Sequence, residues 1–185
     1  ISWVIVGYFS FALLNYENGL VNGVVRALGI EPISWYNSPD QWPAILTITN
    51  LWKGVGYGSV IYLAAMLGIN QEYYEAAMLD GANKLQQIRY ITLPFLIPVV
   101  IIVMLLAIGK IFYADFGMFY YVTRDSKLLY PTTDVIDTYV FRALRVNADI
   151  GMAAATGLYQ SVVGFALVIF SNWVVKRIDP ERSLF

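Results

Sequence analysis

From Ile97 to Ile108 the chain carries no charge at all, and this run lies inside a longer apolar stretch, Leu93–Phe112. Such a segment is ill placed in water. A helix can hold it in hydrocarbon, because every backbone hydrogen bond is then made within the segment. Two further stretches are of similar kind: Ala44–Ile69, interrupted by Lys53, Gly54, Gly56 and Gly58, and Ile150–Val175, stopped by Lys176 and Arg177. All three reach the roughly 20 residues that cross a bilayer. Ile1–Leu14 is apolar but too short, and it opens without a charged leader or cleavage site. It reads as the tail of a membrane helix, with the chain a fragment. The expected fold is an all-α bundle of membrane helices, in keeping with 14% charged residues against roughly 25% in soluble domains.

The residue inventory narrows the chemistry. Cys and His are absent, which removes disulfides, thiolate nucleophiles, Ser-His-Asp triads and the usual zinc sites. No GxxxxGK[ST] phosphate loop occurs, so ATP hydrolysis by that route belongs elsewhere. The formal net charge of -1 gives no nucleic-acid footprint. No cofactor or metal is expected.

Between the apolar stretches lie polar connections. Asn15–Gly19 leads into a segment where Gly29, Pro32, Pro39 and Pro43 break any long helix. Residues 113–149 mix charges with aromatics; Val135, Ile136, Tyr139, Val140, Ala143 and Leu144 recur at helical spacing, with Thr133 or Asp134 placed to cap the start. Two readings stay open there: a helix at the membrane surface, or one packed on neighbouring loops. Basic residues do not settle orientation, since Lys84, Arg89, Lys176, Arg177 and Arg182 on one side nearly balance Arg26, Arg124, Lys127, Arg142 and Arg145 on the other.

The segment 70–92 is short and polar. Asn70 is placed to cap a helix from Gln71, and Asp80-Gly81 reads as its end, with Gly81 suited to a left-handed position. A second short helix spans Asn83 to Ile91. Ala76 and Ala77 give the first helix a low surface that another protein can approach, and Glu72, Glu75 and Asp80 offer acceptors. Pro94 and Pro98 are expected to begin the next span, where missing N–H donors matter least.

Glu75-Ala76-Ala77, three residues, Gly81, nine residues, then Ile91-Thr92-Leu93-Pro94 resembles the EAA motif of binding-protein-dependent ABC importer permeases. The resemblance extends over the whole chain, as the last four of six core helices of a type I (MetI-like) permease. It implies a single permease domain with a partial membrane helix at 1–15, membrane helices at 44–69, 93–112 and 150–177, a cytoplasmic coupling segment at 70–92 and a periplasmic segment at 113–149. It implies that Glu75, Ala76, Ala77, Asp80 and Gly81 couple to the ATP-binding subunit, with Ile91, Leu93 and Pro94 closing the motif. The implied partners are a dimer of ATP-binding subunits, a second permease subunit, an extracytoplasmic solute-binding protein and membrane lipid, in a bacterial inner membrane. Leu79-Asp80-Gly81-Ala82 and Thr133–Val140 are similar to segments of oligosaccharide and polysaccharide permeases, so a sugar is the expected solute. The chain itself is expected to be no enzyme.

Polar residues inside spans often line cavities. Asn50, Trp52, Lys53, Tyr57 and Ser59 qualify in the second stretch, and Thr156, Gln160, Ser161 and Asn172 in the fourth. Asn50 and Tyr57 are the candidates for a substrate pathway. Trp52 and Lys53 read instead as an interfacial belt with a snorkelling ammonium, and Ala153, Gly157 and Ser161 as a helix-packing stripe. An intramembrane carboxylate enzyme is disfavoured because the uninterrupted spans hold no acid, and a scaffold protein leaves the motif spacing to chance.

Overall fold

The computed structural model describes residues 1–178; Arg182, one of the basic residues weighed above, lies outside the described residues. Among the described residues the regular structure is helical throughout. The chain forms two compact units, residues 1–53 with 113–160, and residues 54–112 with 161 onward.

In the first unit, α1 (Trp3–Leu14) is capped by Ser2, whose hydroxyl accepts the Val4 N–H at 3.3 Å. A short helix follows that the sequence pattern did not announce, α2 (Leu20–Ala27). It ends on Gly29 at φ 76°, with the Gly29 and Ile30 N–H groups returning to the Arg26 and Val25 carbonyls. Asn22, fully buried, ties this connection together. Its Oδ1 accepts from the Ile33 N–H at 3.0 Å and the Trp35 indole at 3.2 Å, while Nδ2 donates to the Ile33 carbonyl at 2.8 Å. The helix α3 (Trp42–Leu67) then begins, two residues ahead of the expected start.

The core of this unit is Val6, Trp42, Leu46, Met118, Val122 and Leu129, flanked by Trp3, Tyr36, Ile45 and Phe119. Tyr36 packs edge-on against Trp42 at 4.9 Å and donates its hydroxyl to the Val122 carbonyl at 3.1 Å. Burial pushes its pKa up to about 12, with Arg124 opposing. Met118–Val122 is a π-helical turn, followed by α7 (Tyr130–Thr133) and α8 (Ile136–Asn147). The cap of α8 differs from expectation. Thr133 ends α7, and the helix starts after Val135, whose N–H is accepted by the Thr138 hydroxyl at 3.2 Å. Asp134 takes the Thr138 hydroxyl and Arg142 instead. Arg142 also pairs with Asp125 at 3.2 Å and lies over the Tyr130 ring. Burial works against its charge, but the hydrogen bond and field of Asp134, with Asp125, outweigh this and raise its pKa. Tyr130 is raised by burial and by its hydrogen bond to Asp125, with Arg142 opposing. Phe141 packs on Phe116 and Tyr120, so α8 rests on its neighbours while Tyr139 and Val146 stay exposed.

The second unit holds α4 (Glu72–Leu79), α5 (Lys84–Gln87), a π turn (Ile88–Thr92), α6 (Leu93–Gly109) and the later part of α9 (Ile150–Ile178). Here α6 meets α9 at glycine. A Cβ on Gly164 would stand 2.9 Å from the Gly109 carbonyl oxygen and one on Gly109 would stand 2.8 Å from Val168. Gly164 is thus the glycine of α9 that packs on α6.

Lys84–Gly109 is one continuous helical stretch of 26 residues, not a short helix followed by a span that Pro94 begins. The π turn explains why Pro94 does not break it. Pro94 has no N–H for the Tyr90 carbonyl and its ring crowds that group. The wider turn, in which the Leu93 N–H bonds the Ile88 carbonyl five residues back, accommodates the defect. The helix ends at Gly109, short of the expected Phe112. Lys84–Gly109 and Ile150–Arg177 are long and apolar enough to cross a membrane. Leu106, Leu158, Phe165 and Phe170 on them are exposed, a surface suited to lipid rather than water. The 26 residues of α3 have the length, but its polar residues lower its apolar character.

Asn22→Ala strands the Ile33 and Trp35 N–H donors, each costing about 1–3 kcal/mol when buried. The thermal midpoint of the detergent-solubilised subunit should fall by about 4 °C or more. An unchanged midpoint contradicts the role given to Asn22.

Candidate functional site

The segment between α3 and α6 is built from local rules. Asn70 Oδ1 accepts the Glu72 N–H at 3.1 Å, so the helix starts one residue later than Gln71. At the other end Gly81 adopts φ 80°, its N–H reaches the Met78 carbonyl at 3.0 Å, and the Ala82 N–H reaches Ala77 at 2.8 Å. These two bonds form a Schellman motif, closing carbonyls that the helix end leaves open. A capping box starts α5: Asn83 Oδ1 accepts from the Gln86 N–H at 2.9 Å, and Gln86 Oε1 accepts from the Asn83 N–H at 2.8 Å.

Two tyrosines set α4 against the foot of α6. The Tyr74 hydroxyl and Thr92 Oγ1 are hydrogen-bonded at 2.9 Å, and the Tyr73 ring lies 5.2 Å from that of Phe95. The first contact joins α4 to the π turn. The sequence reading did not single out either tyrosine; their position just before Glu75 was the available signal.

Outward from this brace, Glu72, Glu75, Ala76 and Asp80 are exposed, while Ala77 is half-buried. Met78 and Leu79 add an apolar element that the sequence reading passed over, with Leu79 90% exposed. Acidic acceptors, a small-residue step and bare apolar side chains thus lie together on α4 and its turn. Ile91 is half-buried, and Leu93 and Pro94 are exposed along the continuing helix.

The proposed pathway residues lie on α3. Asn50 and Tyr57 are exposed and seven residues apart on α3, hence on one helix face, and neither side chain has a hydrogen bond among the described residues. Ser59 and Thr156 are different, since their hydroxyls bond the Val55 and Met152 carbonyls of their own helices. Gln160 is buried and donates to Asp137 at 3.3 Å. Asn172 is buried as well.

An all-α chain with two helices long and apolar enough to cross a membrane, and an exposed acidic helix-turn between apolar segments, has the make-up of an integral membrane protein. It belongs to the family of binding-protein-dependent transport system inner membrane components, which matches residues 1–180. It is 32% identical over 181 residues to Protein LplB of Bacillus subtilis (strain 168), covering 98% of this chain and 56% of the relative. It is 31% identical over 180 residues to the polygalacturonan/rhamnogalacturonan transport system permease protein YteP of the same organism, covering 97% of this chain and 56% of the relative. Its fold matches a chain of a bacterial alginate ABC transporter, crystallised with an alginate pentasaccharide-bound periplasmic protein, with a TM-score of 0.88 and 32% identity over 96% of this chain and 61% of that one. The chain thus spans little more than half the length of the curated relatives it matches. The kinship expected from the motif, with the family of binding-protein-dependent permeases and an all-α fold, is borne out.

A Cβ on Gly81 would meet nothing within 4 Å, so substitution strains only the backbone. Gly81→Ala should cost about 1–2 kcal/mol for a left-handed L-residue. Amides of Glu75–Ala82 should then exchange with deuterium about tenfold faster; unchanged exchange contradicts the turn assignment.

Proposed function

We propose that this chain is part of the transmembrane subunit of an ATP-driven importer in a bacterial inner membrane, and that the solute is a sugar or oligosaccharide. The observation that carries the reading is α4: an exposed acidic and apolar surface, closed by a left-handed glycine and braced to the next long helix. The segment 70–92 lies in the cytoplasm and α4 enters a cleft of the ATP-binding subunit dimer. Glu75 and Asp80 accept hydrogen bonds there, Ala76 and Ala77 allow close approach, and Met78 and Leu79 bury apolar surface.

Coupling is mechanical. ATP-driven closure of the partner moves α4, and the Tyr74–Thr92 bond carries that motion to the helix that Ile91, Leu93 and Pro94 continue. This chain makes no covalent change in ATP or solute; hydrolysis belongs to the partner. A second permease subunit completes the passage, and an extracytoplasmic binding protein delivers solute on the side of residues 113–149. Asn50 and Tyr57 face the passage, an amide for sugar hydroxyls and a ring for the apolar face of a sugar, while α6 and α9 meet lipid. The sugar class is supported by the polygalacturonan/rhamnogalacturonan permease and the alginate transporter that the chain resembles.

Reversing charge with Glu75→Lys in the complete importer should cut ATP-driven uptake about tenfold or more, with membrane insertion intact and no stimulation of ATP hydrolysis by loaded binding protein. Full uptake at wild-type expression contradicts the coupling role.

A further inference from the structure

Lys53 carries a charge where charge is costly. It is the twelfth of the 26 residues of α3, about 16 Å from the nearer helix end at 1.5 Å per residue. A four-carbon stem does not reach either end, so the snorkelling suggested by the Trp52-Lys53 pair does not fit this geometry. Trp52 stacks on Phe9 instead, with ring centroids 5.9 Å apart. The half-buried Lys53 ammonium lies 4.2 Å from the centroid of the Trp3 ring. Ion pairs among the described residues are confined to Arg142 with Asp125 and Asp134, so Lys53 has no protein anion there.

Asp115 and Asp137 have partners of their own. Asp115 Oδ2 accepts the Trp3 indole N–H at 2.5 Å, and its Oδ1 accepts the Met118 N–H at 3.3 Å. Asp137 Oδ2 accepts the Ala114 N–H at 2.9 Å and the Gln160 amide at 3.3 Å. Both thus secure the non-helical backbone at 113–115. Asp115 holds Trp3, and Trp3 holds the ammonium. A cation–π contact offsets part of the desolvation but leaves the charge without an anion. Ionisable residues within membrane helices mark solute pathways. Asn50, three residues before Lys53, puts an exposed amide on the same helix face.

We propose that Lys53 reads charge in the translocation path, and that the solute is an acidic oligosaccharide whose carboxylate pairs with its ammonium. This rests on the importer reading above. The ammonium attracts a carboxylate as a point charge and needs no fixed geometry to do so. A path site must also let go.

The test uses the complete importer with its binding protein in proteoliposomes, with trigalacturonate and maltotriose as probes. Wild type should carry trigalacturonate. Lys53→Gln should lose about tenfold or more of that uptake, and Lys53→Arg should restore most of it. ATP hydrolysis stimulated by trigalacturonate-loaded binding protein should persist in both variants. Wild-type uptake in Lys53→Gln overturns the proposal, as does failure of Lys53→Arg to rescue, which makes the residue a packing element of Trp3. A wild type that carries maltotriose but not trigalacturonate overturns the acidic class alone. One that carries neither overturns the importer reading itself.

Discussion

Backbone hydrogen bonding in hydrocarbon is the constraint on which the rest depends. With no water to accept stray N–H and C=O groups, the chain must be helical wherever it meets lipid. Departures from the regular ladder then need a local remedy, and the remedies are visible. Pro94 is absorbed by the π turn at Ile88–Thr92, and the α4 carbonyls are closed through Gly81. At 113–115, carboxylates of Asp115 and Asp137 take up the Met118 and Ala114 N–H groups.

The arrangement around α4 shows how so short a helix is held in place. Eight residues are too few for a stable isolated helix. Its rigidity comes from its ends and from Tyr73 and Tyr74, which set it against Phe95 and Thr92. The inner face makes these contacts and leaves Glu75, Ala76 and Leu79 outward. The same division of faces that stiffens the segment creates a surface for a partner.

Much of this was legible in the residues. The long apolar runs located α3, α6 and α9 to within a few residues, because hydrophobic length is a dense signal. The motif spacing singled out Glu75 and Gly81, and the left-handed glycine is where it was expected. What escaped reading depends on contacts distant in sequence or on weak local signals. Leu20–Ala27 contains Asn22 and Gly23, poor helix formers, and is held by what Asn22 bonds across the following loop. Pro94 pointed to a helix start because a π turn leaves no simple mark in composition. Lys53 read as a belt residue until its place in α3 and its contact with Trp3, fifty positions away, were known.

The central claim is that α4 docks on an ATP-binding subunit in the cytoplasm. The chain has no cysteine, so Ala76→Cys in the full-length subunit, paired with one cysteine in the cleft of the cognate ATPase, gives a clean cross-linking test. The account predicts a cross-link whose yield changes with bound nucleotide. Absence of any cross-link, with residue 76 labelled only by reagent applied outside the cell, contradicts both the orientation and the function.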